Sequence, residues 1–189
     1  MSHISTGVEY GLHCLLYLSD PAAGVSDASA KDLAELQGVP VEYVAKLFTK
    51  LSRAGIVAAT EGVRGGFRLA RPAAEISVLD VVNAIDGNKS LFDCREIRAN
   101  CAVFGEKPPS WATRGVCSIH AVMLDAEKRM AEALASHSLA DLASRTADKA
   151  PAAYGHQVVK WLGHRSSARR GDGGHPHRNP PHSHPGEKS

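Results

Sequence analysis

Two short amphipathic segments joined by a tight turn constrain the fold of this chain most. Ser29 can cap the first free amides of a helix, with Asp32 three positions later as its capping partner. The turn Gly38-Val39-Pro40 ends that helix, and a second helix is predicted over residues 41 to 54, closing at Gly55. Its apolar residues recur at helical spacing and predict a buried stripe: Val44, Leu47, Phe48 and Leu51. Two short helices with a glycine in the connecting turn are typical of a helix-turn-helix unit.

A glycine-rich hairpin follows this unit directly. Residues 56 to 60 and 67 to 69 favour strands, and the glycines between them supply the turn, with Arg64 at the tip. Residues 31 to 71 contain seven basic and four acidic side chains, a local excess of +3 (7 − 4). We expect this part of the chain to lie against duplex DNA, with Arg64 reaching a phosphate or the minor groove.

The exposed face of the second helix holds the candidate DNA contacts. Tyr43 and Lys46 are favoured for base contact because the N-terminal half of a recognition helix enters the major groove. A solvated helix face, or a contact with another protein, is the plainer alternative for such a basic stripe. The candidate DNA-binding residues are Ser29, Pro40, Glu42, Tyr43, Lys46, Lys50, Arg53, Arg64 and Arg68.

An N-terminal helix is predicted over residues 5 to 19. Val8, Leu12, Leu15 and Leu16 recur at helical spacing and are expected to face the core. Glu9 and His13 lie one turn apart and therefore share one side of this helix. They are either metal ligands or an exposed hydrogen-bonded pair, and Cys14 beside them is expected to be a buried apolar residue. A further helix over residues 78 to 85 is capped by Ser77 and Asp80.

Three of the four cysteines lie in or beside an irregular stretch, residues 88 to 116. A connection of this length in a compact protein is usually functional or mobile. Cys94, Cys101 and Cys117 are not expected to form permanent disulfides in a reducing compartment, so metal binding, redox sensing and simple burial all remain open. His120 makes a Cys-x-x-His pair with Cys117, which is weak evidence for a ligand, and zinc is the closest chemical rival to iron.

A long amphipathic helix of about 30 Å is predicted from residue 117 to about 137. A small head cannot cover its apolar face, so we expect it to pair with a second copy in a homodimer. The residues of this face are Ile119, Val122, Met123, Ala126, Met130, Ala133 and Leu134.

The composition predicts the remaining organisation. Residues 163 to 189 consist mainly of Gly, Pro, Ser, Arg and His, which favours disorder. The predicted parts are a winged helix-turn-helix head (1–87), a cluster-binding loop (88–116), a dimerisation helix region (117–145) and a disordered tail (146–189). We expect a cytoplasmic protein with no signal peptide or membrane span. No phosphate loop or nucleophile elbow is present, so neither an enzyme nor a small-molecule substrate is expected.

Five segments together carry a family resemblance. They are Gly7-Val8-Glu9-Tyr10-Gly11-Leu12-His13-Cys14, Tyr43-Val44-Ala45-Lys46-Leu47, Gly65-Gly66-Phe67-Arg68-Leu69, Leu79-Asp80-Val81-Val82-Asn83-Ala84-Ile85-Asp86-Gly87 and Cys94-Arg95-Glu96-Ile97-Arg98. Over about residues 1 to 145 the chain resembles the Rrf family of winged-helix regulators, of the type represented by IscR, NsrR and RsrR. The resemblance implies a mainly α fold with a small β-hairpin, and a homodimeric transcription factor, usually a repressor, that carries an iron–sulfur cluster.

The cysteine spacing departs from the commonest pattern of that family. Six residues separate Cys94 from Cys101, but fifteen separate Cys101 from Cys117. Glu9 and His13 instead match the RsrR-like redox-sensing subgroup, which implies a 2Fe–2S cluster held by Cys94 and Cys117 of one subunit and by Glu9 and His13 of the other. Cys101 is the reserve ligand, and a 4Fe–4S cluster or zinc are the alternatives. A carboxylate and an imidazole at positions i and i+4 are able to hold one iron together.

The function expected from these features is redox-dependent or cluster-dependent operator binding by a dimer. Its two recognition helices would enter successive major grooves about 34 Å apart on a partly palindromic site. The alternatives are a metal-free or zinc-binding regulator that senses thiol oxidation or a small molecule, and a cluster carrier or assembly partner that does not bind an operator.

Overall fold

The computed structural model of the chain describes residues 3–19, 27–60 and 65–171. Its main elements, in chain order, are α1 (Thr6–Ser19), α2 (Ala30–Gln37), α3 (Val41–Arg53), β1 (Val57–Ala59), β2 (Phe67–Leu69), α4 (Val78–Asp86), α5 (Ser110–Thr113), α6 (Ser118–Ala135), α7 (Leu139–Ala147) and α8 (Ala153–Gly171). The predicted hairpin tip with Arg64 and the last part of the predicted tail, residues 172–189, lie outside the described residues. The mainly α fold with a small hairpin is confirmed.

The head is built around the helix-turn-helix unit that the sequence predicts. The Ser29 hydroxyl accepts a hydrogen bond of 3.1 Å from the Asp32 amide at the start of α2. Gly38 ends α2 in the left-handed region at φ 70°, a conformation that costs glycine no steric strain. The predicted stripe of α3, Val44, Leu47, Phe48 and Leu51, is entirely buried.

The hairpin packs against the start of α2 as a small wing. Its two strands are antiparallel, with Ala58 opposite Arg68. Ala28, just before α2, exchanges two backbone hydrogen bonds with Phe67 and so adds a bridge to the outer side of β2. A Cβ atom at Gly66 would lie 3.1 Å from the backbone of Ala28, so a larger residue would crowd the place where the two segments meet. The wing and the N-terminus of α2 therefore form one continuous edge of the head.

Helix α1 approaches α4 closely because its residues at the contact are glycines. Gly7 and Gly11 are one turn apart and both buried. A Cβ atom at Gly11 would lie 2.5 Å from Cδ1 of Ile85 in α4. The Ser5 amide and hydroxyl donate to the carboxylate of Asp86, which fixes the start of α1 at the end of α4. Burial raises the pKa of the Cys14 thiol on the same buried face to about 12, as expected for a core residue.

The predicted irregular stretch before the long helix contains short helical turns. Residues Ile97–Asn100 and Ala102–Phe104 form 3-10 turns, and α5 adds one turn of α-helix. The long amphipathic helix is confirmed as α6. It has no buried residue within this single chain, and Ile119 and Val122 are 64% and 65% exposed.

The chain beyond the long helix is more ordered than the sequence predicts. Helix α7 begins with a complete capping box of Ser138 and Asp141, and Leu139 is fully buried in the head. The disorder predicted from residue 146 is wrong for residues 153–171, which form α8, because Leu162 of that helix enters the core and its burial offsets part of the ordering entropy. Within the described ranges, no helix combines the length and apolar character needed to cross a membrane.

Replacing Gly11 with valine is expected to lower the free energy of unfolding by about 1–3 kcal/mol, because the added methyl groups overpack the contact with Ile85. Urea denaturation measures this change. Gly155→Val is the matched control, since no atom lies within 4 Å of a Cβ at Gly155 in α8. Equal stability of the two variants would show that the α1–α4 contact does not need a glycine.

Candidate functional site

The outer face of α3 contains the cation best placed to reach a nucleic acid. Lys46 is exposed and makes no hydrogen bond or ion pair with the residues that the structure describes. Glu42 and Arg53 are exposed on the same helix, and Pro40 forms its N-terminal cap position without a side-chain hydrogen bond. A phosphate or base edge can approach this face without first displacing an intramolecular partner.

Two other residues of the predicted DNA-facing set have structural partners instead. The Lys50 amine donates a 2.5 Å hydrogen bond to the carbonyl of Ile85, at the C-terminal end of α4, where a cation offsets the helix dipole. The Tyr43 ring meets Tyr10 of α1 edge-on with centroids 5.7 Å apart, and its hydroxyl lies beside Gly7. Both exposed side chains therefore also contact the head, whereas Lys46 has no such partner among the described residues and is the leading base-contact candidate.

The remaining candidates lie along the edge formed by α2 and the wing. Ser29 caps α2, whose first free amides are suited to a phosphate oxygen. Arg68 is exposed in β2, opposite Ala58. Together with Lys46, these residues form what we call the DNA face: Ser29, Lys46 and Arg68.

The cysteine loop is folded around the guanidinium of Arg98. Arg98 forms an ion pair with Glu96 and donates a 3.0 Å hydrogen bond to the carbonyl of Gly115. The hydrogen bond with Glu96 raises the pKa of Arg98, and the thiols of Cys117 and Cys94 add to this effect. Two cysteines that are far apart in sequence therefore lie within electrostatic reach of one side chain, and both are half-buried.

The backbone of this loop is strained at one point. Glu96 has a positive φ of 50°, and no other non-glycine residue among the described ones has a positive φ. The hydrogen bond and charge of Arg98 lower the pKa of Glu96, and His120 contributes in the same direction. A residue in this sparsely populated region is held there by its surroundings, and such residues cluster at functional sites.

The start of the loop is attached to α6. Glu127 accepts a 3.1 Å hydrogen bond from the Leu91 amide, and the Phe92 ring lies 6.1 Å from that of His120. Cys117 occupies the N-terminal cap position of α6, where the free amides favour a negatively charged group. Cys101, in contrast, is exposed at the start of a short 3-10 turn.

Glu9 and His13 project from the side of α1 that faces away from Gly7 and Gly11. Both side chains are exposed and line an open cleft of about 1000 Å³ between α1, α4 and the α7–α8 segment. Leu12 and Leu16, which were expected in the core, are half-buried and form part of its wall. No hydrogen bond joins Glu9 to His13 in the described structure, so the pair is open to an external partner.

The predicted ligands do not meet in one subunit. Across the described ranges of this single chain, no three His, Cys, Asp or Glu side chains are close enough to hold a metal together. Cys94 and Cys117 instead both lie in the electrostatic environment of Arg98, and Glu9 and His13 lie one turn apart on α1.

Comparisons with known proteins identify the family. The model of the Rrf2 family, described as an iron-dependent transcriptional regulator, matches residues 4–145. The protein rrf2 of Nitratidesulfovibrio vulgaris is 32% identical over 139 residues, which cover 74% of this chain and 85% of that protein. The chain belongs to the Rrf2 family.

Other relatives of the Rrf2 family agree with the fold. IscR of Vibrio atlanticus is 33% identical over 111 residues, covering 59% of this chain and 58% of its own length. The solved structure of T. potens IscR superposes with a TM-score of 0.58 at 25% identity, covering 80% of this chain and 93% of that one. The structure of CymR, the global cysteine regulator of B. subtilis, superposes with a TM-score of 0.54 at 26% identity, covering 77% and 98%. The protein is thus a DNA-binding transcriptional regulator and not an enzyme.

Sequence reasoning missed Arg98 and Glu127, which position the Rrf2-family cysteine loop. Arg98 stands four residues after Cys94, but its hydrogen bond to the Gly115 carbonyl joins residues 17 positions apart, which no local spacing indicates. Glu127 lies on the predicted helix, but nothing in its spacing indicates that it accepts a hydrogen bond from Leu91.

The different roles of Lys46 and Lys50 can be tested in one experiment. Lys46→Ala is expected to weaken operator binding by about 1–3 kcal/mol, roughly 5-fold to 150-fold, since it removes the predicted DNA contact. Lys50→Met is expected to lower stability by up to about 1 kcal/mol through loss of the helix-end hydrogen bond, with little effect on affinity. Fluorescence anisotropy and urea denaturation measure these two effects. The reverse pattern would show that Lys50 reads the DNA.

Proposed function

We propose that this Rrf2-family protein is a homodimeric repressor whose operator affinity depends on the redox state or presence of an iron–sulfur cluster. The observation that carries the proposal is the fold of the cysteine loop around Arg98, which bonds the Gly115 carbonyl and lies near Cys94 and Cys117, while Glu9 and His13 are exposed on an open cleft. The names of relatives support it, because the matched family is described as iron-dependent.

The donor set fits a 2Fe–2S cluster shared by two subunits. Two thiolates suit one iron, and a carboxylate with an imidazole one turn apart suits the other. One chain supplies two pairs of ligands that do not meet, so a complete set needs the cysteines of one subunit and the Glu9–His13 pair of the other. When bound, such a cluster would supply a redox couple with a potential raised by its non-thiolate ligands.

The chain's own residues determine how that site communicates with the DNA face. Helix α1 carries Glu9 and His13, and Tyr10 next to them contacts Tyr43 of the recognition helix. A change in the position of α1 must therefore be accommodated at the α1–α3 contact. In a dimer, small changes of this kind alter the spacing of the two recognition helices.

Dimerisation through α6 supports the same proposal. Ile119 and Val122 are more than 60% exposed, and α6 buries no residue against its own head. An apolar helix face of this length is stabilised when a second copy covers it. The cysteine loop, which is attached to α6 through Glu127, is then brought to the dimer interface.

Subunit complementation tests the shared cluster. Protein purified anaerobically is expected to be coloured and to contain iron and sulfide, whereas Glu9→Ala/His13→Ala and Cys94→Ser/Cys117→Ser are each expected to be colourless. A heterodimer of these two variants, isolated with two different affinity tags, is expected to regain about half of the wild-type iron. It contains one site with all four ligands and one with none.

A colourless heterodimer would contradict a site shared between subunits. Neither chain of this heterodimer has all four ligands, so only a site built from both chains can restore the cluster. Cys101→Ser serves as the thiol control and is expected to keep the wild-type spectrum. Stoichiometric zinc in colourless wild-type protein would favour the zinc alternative, and full operator switching by metal-free protein would favour a thiol or small-molecule sensor.

Val122→Glu is expected to convert the dimer to a monomer, because it places a charge on the uncovered apolar face of α6. Size-exclusion chromatography with light scattering measures the mass. Ala121→Glu, also exposed and on α6 but outside the apolar stripe, is the control and is expected to remain dimeric. A dimeric Val122→Glu variant would place the interface elsewhere.

A further inference from the structure

Arg98 joins two distant parts of the cysteine loop. Its Nε donates to the carboxylate of Glu96, two residues after Cys94, and its Nη2 donates over 3.0 Å to the carbonyl of Gly115, two residues before Cys117. Only 22% of the Arg98 side chain is exposed. One half-buried guanidinium therefore bridges the segment that follows the first cysteine and the segment that precedes the last one.

The charge of Arg98 also lies within reach of both thiols. The hydrogen bond with Glu96 raises the pKa of Arg98, and the charges of Cys117 and Cys94 add to this effect. Arginine stays protonated, so a negative charge that develops at either sulfur is attracted to it. Because Arg98 is half-buried, solvent screens this attraction less than that of a fully exposed cation.

Glu96 places the opposite charge beside the guanidinium. Its side chain is 52% exposed, more than twice the exposed fraction of Arg98. The pKa of Glu96 is lowered by the hydrogen bond and charge of Arg98 and by His120, whereas the cysteine thiols act on Arg98. The thiols thus sense the cation of this ion pair more strongly than its anion.

The net charge around an iron–sulfur cluster is one of the factors that set its reduction potential. Uptake of one electron adds one negative charge, so a nearby cation stabilises the reduced form and a nearby anion destabilises it. The loop places both kinds of charge beside the thiols in a single ion pair, Arg98 with Glu96.

We infer that Arg98 is a positioning residue with two effects: its guanidinium clamps the cysteine loop, and its positive charge raises the reduction potential of a cluster held by Cys94 and Cys117. Glu96 is the counter-charge that limits this rise. The inference rests on the proposed function and deepens it, because the potential at which operator binding changes then depends on the charge of Arg98.

The test compares Arg98→Gln with Glu96→Gln in full-length protein that carries the cluster. A redox titration with mediator dyes, followed by visible and electron-paramagnetic spectra, measures the potential. At a fixed solution potential, Arg98→Gln is expected to lower the ratio of reduced to oxidised cluster about 10-fold, which corresponds to about 59 mV. Glu96→Gln is expected to raise that ratio by a smaller factor, about threefold, because solvent screens its more exposed charge.

Opposite shifts separate charge from geometry, since both substitutions break the same ion pair. The double variant Glu96→Gln/Arg98→Gln is expected to lie between the two single variants. Arg95→Gln is the matched control, because it removes the same charge from an exposed side chain next to Cys94. It is expected to change the ratio by about twofold at most.

The clamp is tested without the cluster. Arg98→Lys keeps the charge but lacks the planar fork that reaches two acceptors. In the apoprotein, amide hydrogen exchange of residues 94–117 is expected to become about fivefold faster in Arg98→Lys, as for the loss of one hydrogen bond. The cluster-bound form of the same variant is expected to keep the wild-type potential.

Several outcomes would overturn the inference. Shifts of the same sign in Arg98→Gln and Glu96→Gln would show that the potential follows loop geometry alone, and wild-type amide exchange in Arg98→Lys would exclude the clamp. If Arg98→Gln takes up no cluster, Glu96→Gln decides, because a potential that does not rise contradicts the role of charge. A colourless wild-type protein refutes the proposed function and with it the effect on potential, whereas amide exchange of the apoprotein still decides the clamp.

Discussion

The close approach of α1 to α4 is the constraint on which the rest of the structure depends. It exists because Gly7 and Gly11 leave room for Ile85 where a side chain would collide with it. Once α1 lies in this position, neighbouring residues of it have different roles. Tyr10 supports α3 through its contact with Tyr43, and Glu9 and His13 line the open cleft. A single helix thus belongs both to the packing of the DNA-binding head and to the candidate ligand site.

Local signals in the sequence were sufficient to predict much of this architecture. Ser29 with Asp32 and Ser77 with Asp80 begin α2 and α4 as predicted, since a capping pair depends only on residues three positions apart. The prediction missed α7 although Ser138 and Asp141 repeat the same signal. The disorder predicted from residue 146 is wrong as far as Gly171, because average composition did not reveal the burial of one residue, Leu162, at the edge of a polar segment.

The side-chain contacts of the site could not be predicted from spacing alone. Helical periodicity places Lys46 and Lys50 on one face, but the Lys50 amine turns to the end of α4, and that partner is 35 residues away in sequence. Tyr43 likewise turns toward α1. Cys94 and Cys117 are separated by 22 residues, and only the fold of the intervening loop around Arg98 brings them into one electrostatic environment. Long-range contacts of this kind depend on how helices are placed relative to one another. The spacing of residues along one helix carries no information about that placement.

The division of the ligands between two pairs has a physical consequence for regulation. A cluster bound by one chain alone would stabilise that chain. A cluster that also needs Glu9 and His13 of a second subunit would stabilise the dimer, because its binding free energy is gained only when both subunits are together. The ion pair of Arg98 with Glu96 and its hydrogen bond to the Gly115 carbonyl fix the loop that contains the cysteines. Because Cys117 lies at the N-terminal cap of α6, which also carries the uncovered apolar face, the helix that would associate two subunits would bring this thiol of one subunit toward α1 of the other. In the proposed dimer, cluster occupancy and the orientation of the two recognition helices would both depend on the position of α1, so operator binding would respond to chemistry away from the DNA face.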